Sequence, residues 1–294
     1  MGAVSFVVHG KLYVGAGLRR TFTNSFYQFD PTSNSWKEVA ALPAEVRSNG
    51  VGFAIGDYGY VGLGGNFCLD VAAETGTCDF RYFNDLWRYD PQNDGWRRAA
   101  DFPGSGRVSA AAFVVRDRAY VTGLSTSGIY DMWEYEPVGN SWTRKADYPG
   151  GCGVRGSAFS TAGYGYVGFG YSNGAACQDF WRYEPFADSW TPIAAFPGSA
   201  RHEAVGFSDG LLDNPPGFVA AGSDGARDPN YLTDIWTYNA AGDTWIEVPT
   251  VYPGKGRSQM VAGILDGRFF MGLGTDNTIG GNRFDDWWEY VPDN

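Results

Sequence analysis

The chain has 294 residues, a formal net charge of −11, 42 glycines and 17% aromatic residues. The negative charge argues against a nucleic-acid-binding protein, which needs a basic face, and against docking on an anionic membrane surface. No apolar run approaches the length of a transmembrane helix, so we expect no membrane insertion. No helical periodicity extends over a long window, and the aromatic and glycine content favours strands joined by tight turns.

A twelve-residue pattern recurs along the chain and decides the predicted architecture. In the copy from Asp85 to Trp96 (DLWRYDPQNDGW), aromatic residues alternate with a charged one at 87–89, which is typical of a strand with one packed face. Residues 90–95 favour a turn and Trp96 begins a second strand, so the pattern predicts a β-hairpin. Other copies begin at Ser25, Asp131, Asp179, Asp234 and Asp286, and the last is incomplete.

A second predicted hairpin precedes each copy of this pattern. Its clearest example follows Arg47, with apolar residues at 51–55, a turn at 56–59 and a strand from Tyr60 to Gly65. Similar pairs of strands follow Arg107, Arg155, Arg201 and Arg257. Each repeat is therefore predicted to be four antiparallel strands in about 45–60 residues.

These features together resemble the kelch repeat: an arginine before the first strand, Tyr-Val and glycine in the second, Tyr-Asp-Pro in the third, and the tryptophan that follows. The resemblance implies an all-β fold, a single β-propeller domain of six four-stranded antiparallel blades. The predicted blades cover residues 1–42, 47–102, 107–148, 155–196, 201–252 and 257–294.

The sixth repeat is predicted to be one strand short. In three copies, 16 residues separate the proline after the third strand from the next arginine, whereas only two residues follow Pro292. We therefore expect a three-stranded sixth blade, whose outermost strand would precede Met1 in a longer parent protein. The edge from Trp287 to Val291 would then be open to pairing with another strand.

The four cysteines lie in predicted loops. Cys68 and Cys78 share one long loop, and Cys152 and Cys177 lie in two loops that antiparallel strands bring to the same face of a blade. Both pairs can form disulfides, which predicts an oxidising compartment and a secreted, periplasmic or cell-surface protein. The alternative is four free thiols in a cytosolic protein. The spacing does not fit a metal site, and no metal is expected.

Only two histidines are available for chemistry, and the predicted blades place His9 and His202 on opposite faces. They cannot share a metal or a proton relay. Several kelch propellers resemble galactose oxidase, whose copper needs two histidines, two tyrosines and a thioether-linked cysteine, and this chain offers no such set. We therefore expect no cofactor.

Residues that recur in every blade are interpreted as scaffold, because each arginine can tie a loop to an aspartate by charge-assisted hydrogen bonds. Loop residues that do not recur suit a sugar or peptide ligand, since aromatic rings stack on apolar faces while arginines make directed hydrogen bonds. We therefore predict a non-catalytic binding module for a glycan or a protein, with ordinary solvated loops as the alternative. The candidate ligand-binding residues are Arg19, Arg20, Arg81, Tyr82, Tyr171, Arg227, Tyr231 and Arg283.

One enzymatic alternative is also open. Some six-bladed kelch propellers of bacteria resemble sialic acid mutarotases, which use charged residues at the pore for proton transfer. By that resemblance, the Arg201-His202-Glu203 segment would place an acid/base group, from Arg201 or Glu203, at the mouth of the pore.

Overall fold

The computed structural model describes residues 1–66, 81–125, 128–152, 155–209, 215–225, 229–276 and 282–290. The described residues form strands and turns, with no helix and hence none that could cross a membrane. Six antiparallel sheets form the blades of a ring, five with four strands and one with three. The predicted six-bladed β-propeller is confirmed. Cys68 and Cys78 lie outside the described residues, and their pairing stays a prediction.

Each blade is a meander in chain order, from an inner strand at the pore to an outer strand at the rim. The strands of blade one are Val4–Val8, Lys11–Gly15, Phe26–Asp30 and Ser35–Val39. Those of blade two are Val51–Ile55, Tyr58–Gly62, Leu86–Asp90 and Gly95–Arg98. Those of blade three are Ala111–Val115, Arg118–Thr122, Met132–Glu136 and Ser141–Lys145.

The later blades follow the same plan. Blade four contains Ser157–Thr161, Tyr164–Gly168, Phe180–Glu184 and Ser189–Pro192. Blade five contains Val205–Ser208, Gly217–Ala220, Ile235–Asn239 and Thr244–Glu247. Blade six contains Val261–Leu265, Arg268–Gly272 and Trp287–Tyr290. Two short strand pairs lie in loops, Gly65–Asn66 with Arg81–Tyr82 and Tyr171–Ser172 with Ala175–Ala176.

Aromatic side chains fill the space between neighbouring blades. Phe113 stacks on Tyr120 in blade three, with ring centroids 5.1 Å apart, and meets Trp190 of blade four at 6.5 Å. Four outer-strand tryptophans also donate their indole N–H to a carbonyl of the preceding blade: Trp96 to Ala40, Trp142 to Ala100, Trp190 to Ala146 and Trp245 to Ala194. Each such bond stabilises a blade–blade contact by about 1 kcal/mol.

Within the described residues, blade six has three strands, as predicted. The inner strands of blades one and six pack against each other and close the ring. Further out, Phe29 meets Phe270 at 5.1 Å and Trp36 meets Trp287 at 5.4 Å. Trp288 on the last strand is 38% exposed. Pairing of this edge with a further strand stays a prediction.

Four arginines, which we call the arginine anchors, fix the loops that enter blades two, three, five and six: Arg47, Arg107, Arg201 and Arg257. Each is almost fully buried, donates to backbone carbonyls and pairs with an aspartate before the third strand of its own blade: Asp85, Asp131, Asp234 and Asp286. Burial opposes ionisation of these aspartates, but the guanidinium bonds outweigh it and lower the pKa of each carboxyl. The scaffold interpretation therefore fits these four arginines.

Candidate functional site

Six residues, one before the inner strand of each blade, form what we call the pore ring: Gly2, Asn49, Ser109, Arg155, Glu203 and Gln259. All six have left-handed backbone conformations, with φ between 53° and 62°. The amide of each ring residue from Asn49 to Gln259 donates to the carbonyl of the ring residue before it, at 2.8–3.3 Å. For a non-glycine residue this conformation costs on the order of 1 kcal/mol or more, so the surrounding structure must enforce it.

The pore ring lines a cavity of about 160 Å³ at one mouth of the pore. Four ring positions carry a neutral side chain or none, and only Arg155 and Glu203 are charged. Because they are consecutive ring members, their charges lie side by side: Arg155 Nη1 is 3.5 Å from Glu203 Oε1. The ring therefore presents one carboxylate and one guanidinium on an otherwise neutral rim.

Glu203 is the centre of this arrangement, and its side chain is only 6% exposed. Its Oε1 accepts a hydrogen bond from Gln259 Nε2 at 2.9 Å, and its Oε2 lies 3.7 Å from His202 Nδ1. Three buried atoms here, Glu203 Oε2, His202 Nδ1 and Gln259 Oε1, have no hydrogen-bond partner within the described part of the chain. Buried polar atoms are normally paired, so a cluster of unpaired ones marks a place that a ligand or water completes.

His202 lies behind Glu203 and is held by its own backbone and ring contacts. Its amide donates to the Ser223 carbonyl at 2.9 Å, and its ring meets the Tyr171 ring at 5.0 Å. Burial lowers the pKa of His202; Glu203 opposes that shift and Arg155 adds to it. The imidazole is therefore neutral at neutral pH, with one ring nitrogen able to accept a proton.

The structure corrects the predicted role of Arg155. The inner strands of blades two, three, five and six begin four residues after their anchor arginines, whereas the inner strand of blade four begins two residues after Arg155. Arg155 therefore occupies the position of Glu203 and not that of the anchors, and its side chain is 46% exposed. The signal was present in the sequence as the shortened distance from the arginine to the apolar strand.

The enzymatic alternative predicted Arg201 as a candidate acid/base residue, but the structure places it away from the cavity. Its guanidinium is fully buried and makes two bonds of 2.7 Å to Asp234. A guanidinium that is buried and neutralised in this way does not reach the cavity, and arginine does not give up its proton in proteins. Of the two candidate acid/base residues, only Glu203 faces the cavity.

Seven of the eight predicted ligand-binding residues are described, and they are spread over the face that carries the pore ring. Tyr171 touches His202, and burial raises the pKa of Tyr231, with the carboxylates of Asp276, Glu203 and Asp224 adding to the shift. The other described candidates lie further from the pore. Arg19 pairs with Asp285 and accepts a hydrogen bond from Arg283 at its carbonyl. Arg81 pairs with Glu45, and the side chains of Arg20 and Tyr82 are exposed. Arg227 lies outside the described residues. Among the candidates that the structure describes, only the two tyrosines therefore come near the Glu203 cluster.

The opposite mouth of the pore is lined by the inner strands and the turns that follow them. A channel of about 760 Å³ runs along the inner strands to the turns between first and second strands. His9 lies there and bonds Asp57 through Nε2 at 2.8 Å, so the two histidines are at opposite ends. The described residues contain no group of three or more His, Cys, Asp or Glu side chains that could hold a metal ion.

Comparison with known proteins identifies the type of repeat. A kelch motif matches residues 1–43. The solved structure of YjhT superposes with a TM-score of 0.76 at 16% sequence identity, covering 99% of this chain and 94% of that chain. The first repeat of this chain thus matches a kelch motif, and the overall fold is similar to that of YjhT.

Parts of the chain are also similar to curated proteins named N-acetylneuraminate epimerase. The relative from Yersinia enterocolitica is 32% identical over 109 residues, which is 36% of this chain and 25% of the relative. Those from Haemophilus influenzae (strain PittEE) and Pasteurella multocida are 26% and 28% identical over 136 and 138 residues, or 36% of each relative. The matches thus span between a quarter and about a third of the length of these relatives.

Proposed function

We propose that this protein is a mutarotase, an enzyme that interconverts the anomers of an acidic sugar related to N-acetylneuraminate. The observation that carries the proposal is the buried Glu203 carboxylate, which has one oxygen without a hydrogen-bond partner in the described part of the chain and an arginine 3.5 Å from the other. The relatives named N-acetylneuraminate epimerase favour this function over the non-catalytic binding module predicted first.

The reaction needs proton transfer and no redox change. A base removes the proton of the anomeric hydroxyl while the bond between the anomeric carbon and the ring oxygen breaks, and the ring oxygen gains a proton. The open-chain ketone then rotates about a single bond, and the ring closes on the other face by the reverse steps. Both protons return, so the enzyme ends unchanged.

We assign each residue of the site a part in binding or proton transfer according to its chemistry. In our proposal the Arg155 guanidinium binds the sugar carboxylate, for which its planar fork of donors is suited. Glu203 Oε2 exchanges the proton with the anomeric hydroxyl, while Gln259 holds the other oxygen of that carboxylate in place. His202 is neutral and its Nδ1 lies 3.7 Å from Oε2, so it is placed to take up or return a proton.

The compartment follows as a further part of the proposal. A disulfide joins Cys152 and Cys177, and disulfides persist in oxidising compartments. An extracytoplasmic location, where free sugars are taken up, agrees with this bond. Alkylation of the native protein without reductant, followed by mass spectrometry, should leave both cysteines unmodified.

The proposed activity is tested by dissolving a single anomer of N-acetylneuraminate and following its approach to equilibrium by NMR. The protein should speed this approach well above the spontaneous rate, without changing the final anomer ratio. A neutral hexose serves as the comparison and should gain little, because it lacks the carboxylate that Arg155 would bind. A spontaneous rate that the protein leaves unchanged for N-acetylneuraminate would reject the function.

A further inference from the structure

Blade four has no arginine anchor of the kind that fixes the entry loop in blades two, three, five and six. Its aspartate is present, because Asp179 accepts the indole N–H of Trp181 at 2.9 Å as its counterparts do in other blades. Its arginine, however, stands at the pore ring as Arg155, and the sequence has Gly153 two residues earlier, where the other blades have their anchor. The sequence of blade four therefore has no arginine at the anchor position.

The disulfide supplies a fixed point close to Arg155. Cys152, three residues before Arg155, is buried, with 6% of its surface exposed, and is bonded to Cys177. Cys177 is in turn tied to blade five, because its carbonyl accepts the Arg201 amide at 3.0 Å. Its own amide donates to the Gly170 carbonyl of blade four at 2.9 Å. The bond thus connects the entry loop of blade four to the segment that leads into His202 and Glu203.

We propose that the Cys152–Cys177 disulfide replaces the arginine anchor in blade four and positions Arg155 beside Glu203. This inference rests on the proposed function, in which Arg155 binds the sugar carboxylate. Arg155 needs such help, because its side chain is 46% exposed and its amide bond to Ser109, at 3.3 Å, is the longest in the pore ring. A displacement of about 1 Å of a group that binds the substrate can slow a reaction strongly. A disulfide that holds Arg155 in place therefore sets the affinity of the site for the sugar.

The test is a double-mutant cycle between the disulfide and the arginine. The double variant C152S/C177S should raise KM about tenfold while kcat stays within about twofold, because a group that binds ground and transition states alike affects KM alone. In an Arg155→Ala background, the same cysteine changes should have no further effect on KM. Effects on KM that add in full would mean that the disulfide does not act through Arg155.

A control separates positioning from general loss of stability. Asp85→Asn weakens the arginine anchor of blade two, which leads to the neutral ring residue Asn49, a residue that makes no ring hydrogen bond to Arg155. It should lower the melting temperature without the tenfold change in KM. If C152S/C177S does not fold, the native protein is reduced with dithiothreitol, the free thiols are counted after alkylation, and KM is measured directly. An unchanged KM in the reduced protein overturns the proposal.

A second readout does not depend on activity. Hydrogen exchange followed by mass spectrometry should show faster exchange at the Arg155 amide in C152S/C177S, with no change at the Ser109 amide. Equal protection of Arg155 in the two proteins overturns the positioning role. If the native protein has no mutarotase activity, the proposed function fails, and this exchange measurement alone decides whether the disulfide fixes Arg155.

Discussion

The substitution that tests the proposed site most directly is Glu203→Gln. The amide keeps the size and shape of the carboxylate and can still accept the hydrogen bond that Gln259 Nε2 now donates to Oε1 at 2.9 Å. It cannot accept a proton at the position of Oε2. Because the side chain is 6% exposed and Arg155 is its charged neighbour at 3.5 Å, the change removes one charge from the rim without opening a cavity.

The expected loss follows from the role of a general acid/base, which contributes roughly 10²–10⁴-fold to a rate. That corresponds to about 3–5 kcal/mol of barrier, at about 1.4 kcal/mol per tenfold change. KM should change much less, because Arg155 remains to bind the sugar carboxylate. The melting temperature should move little, because the lost ion pair involves a partly exposed arginine, and such pairs contribute about 0–1 kcal/mol.

The assay is the approach of one N-acetylneuraminate anomer to equilibrium, with the spontaneous rate subtracted at each enzyme concentration. Glu45→Gln is the matched control, because Glu45 carries the same side chain and pairs with Arg81 at 3.4 Å, but is 55% exposed and does not line the pore cavity. The control should keep the native rate. If the native protein is active, a Glu203→Gln protein that also keeps the native rate would remove Glu203 from the mechanism.

Three further predictions concern the neighbours of Glu203 and the scaffold. Arg155→Ala should raise KM for the sugar acid about 10- to 100-fold with kcat nearly kept, and a rate unchanged at low substrate would contradict its role. The pKa of His202 in the folded protein is below the unfolded value of about 6.5, so its contribution to stability is present above that value. This contribution is lost as pH falls from there through the lower pKa of the folded state. His202→Asn should therefore flatten the fall in melting temperature between about pH 7 and 5, and equal slopes in both proteins would refute this. Asp234→Asn should lower the unfolding free energy by about 3–5 kcal/mol in urea denaturation, because it leaves the fully buried Arg201 without its counter-charge. Asp101→Asn breaks an exposed ion pair and should lower it by only about 0–1 kcal/mol. Similar losses in the two variants would show that the arginine anchor contributes no more to stability than an exposed ion pair.

The fold could be predicted from the sequence because each feature that specifies it is local and repeated. The alternation around Trp87, the turn at 90–95 and the return at Trp96 each define a hairpin without reference to the rest of the chain. A hairpin alone cannot bury its apolar face, so repeated hairpins predict stacking. The disulfide between Cys152 and Cys177 could be predicted for a related reason, since strand direction alone brings their loops to one face.

The working residues could not be predicted in the same way, because they depend on register at the pore. Arg155 looks like one more repeated arginine until its distance to the following strand is counted, and a two-residue difference turns an anchor into a ring residue. Arg201 looks reactive beside His202 and Glu203 in the sequence, yet it is fully buried against Asp234, 33 residues later in the chain. Neither fact is visible from residue type alone.

The pore ring itself shows where the sequence departs from backbone preference. Left-handed conformations favour glycine and asparagine, so Gly2 and Asn49 are the residues that such positions ordinarily carry. Ser109, Arg155, Glu203 and Gln259 adopt the same conformation at a cost in stability, although glycine would fit each position without strain. Residues that oppose a local preference in this way are expected at functional sites, where the chemistry of the side chain outweighs the strain. These four are consecutive members of the ring, and the strained segment includes the same acid/base cluster that the unpaired buried atoms beside Glu203 mark.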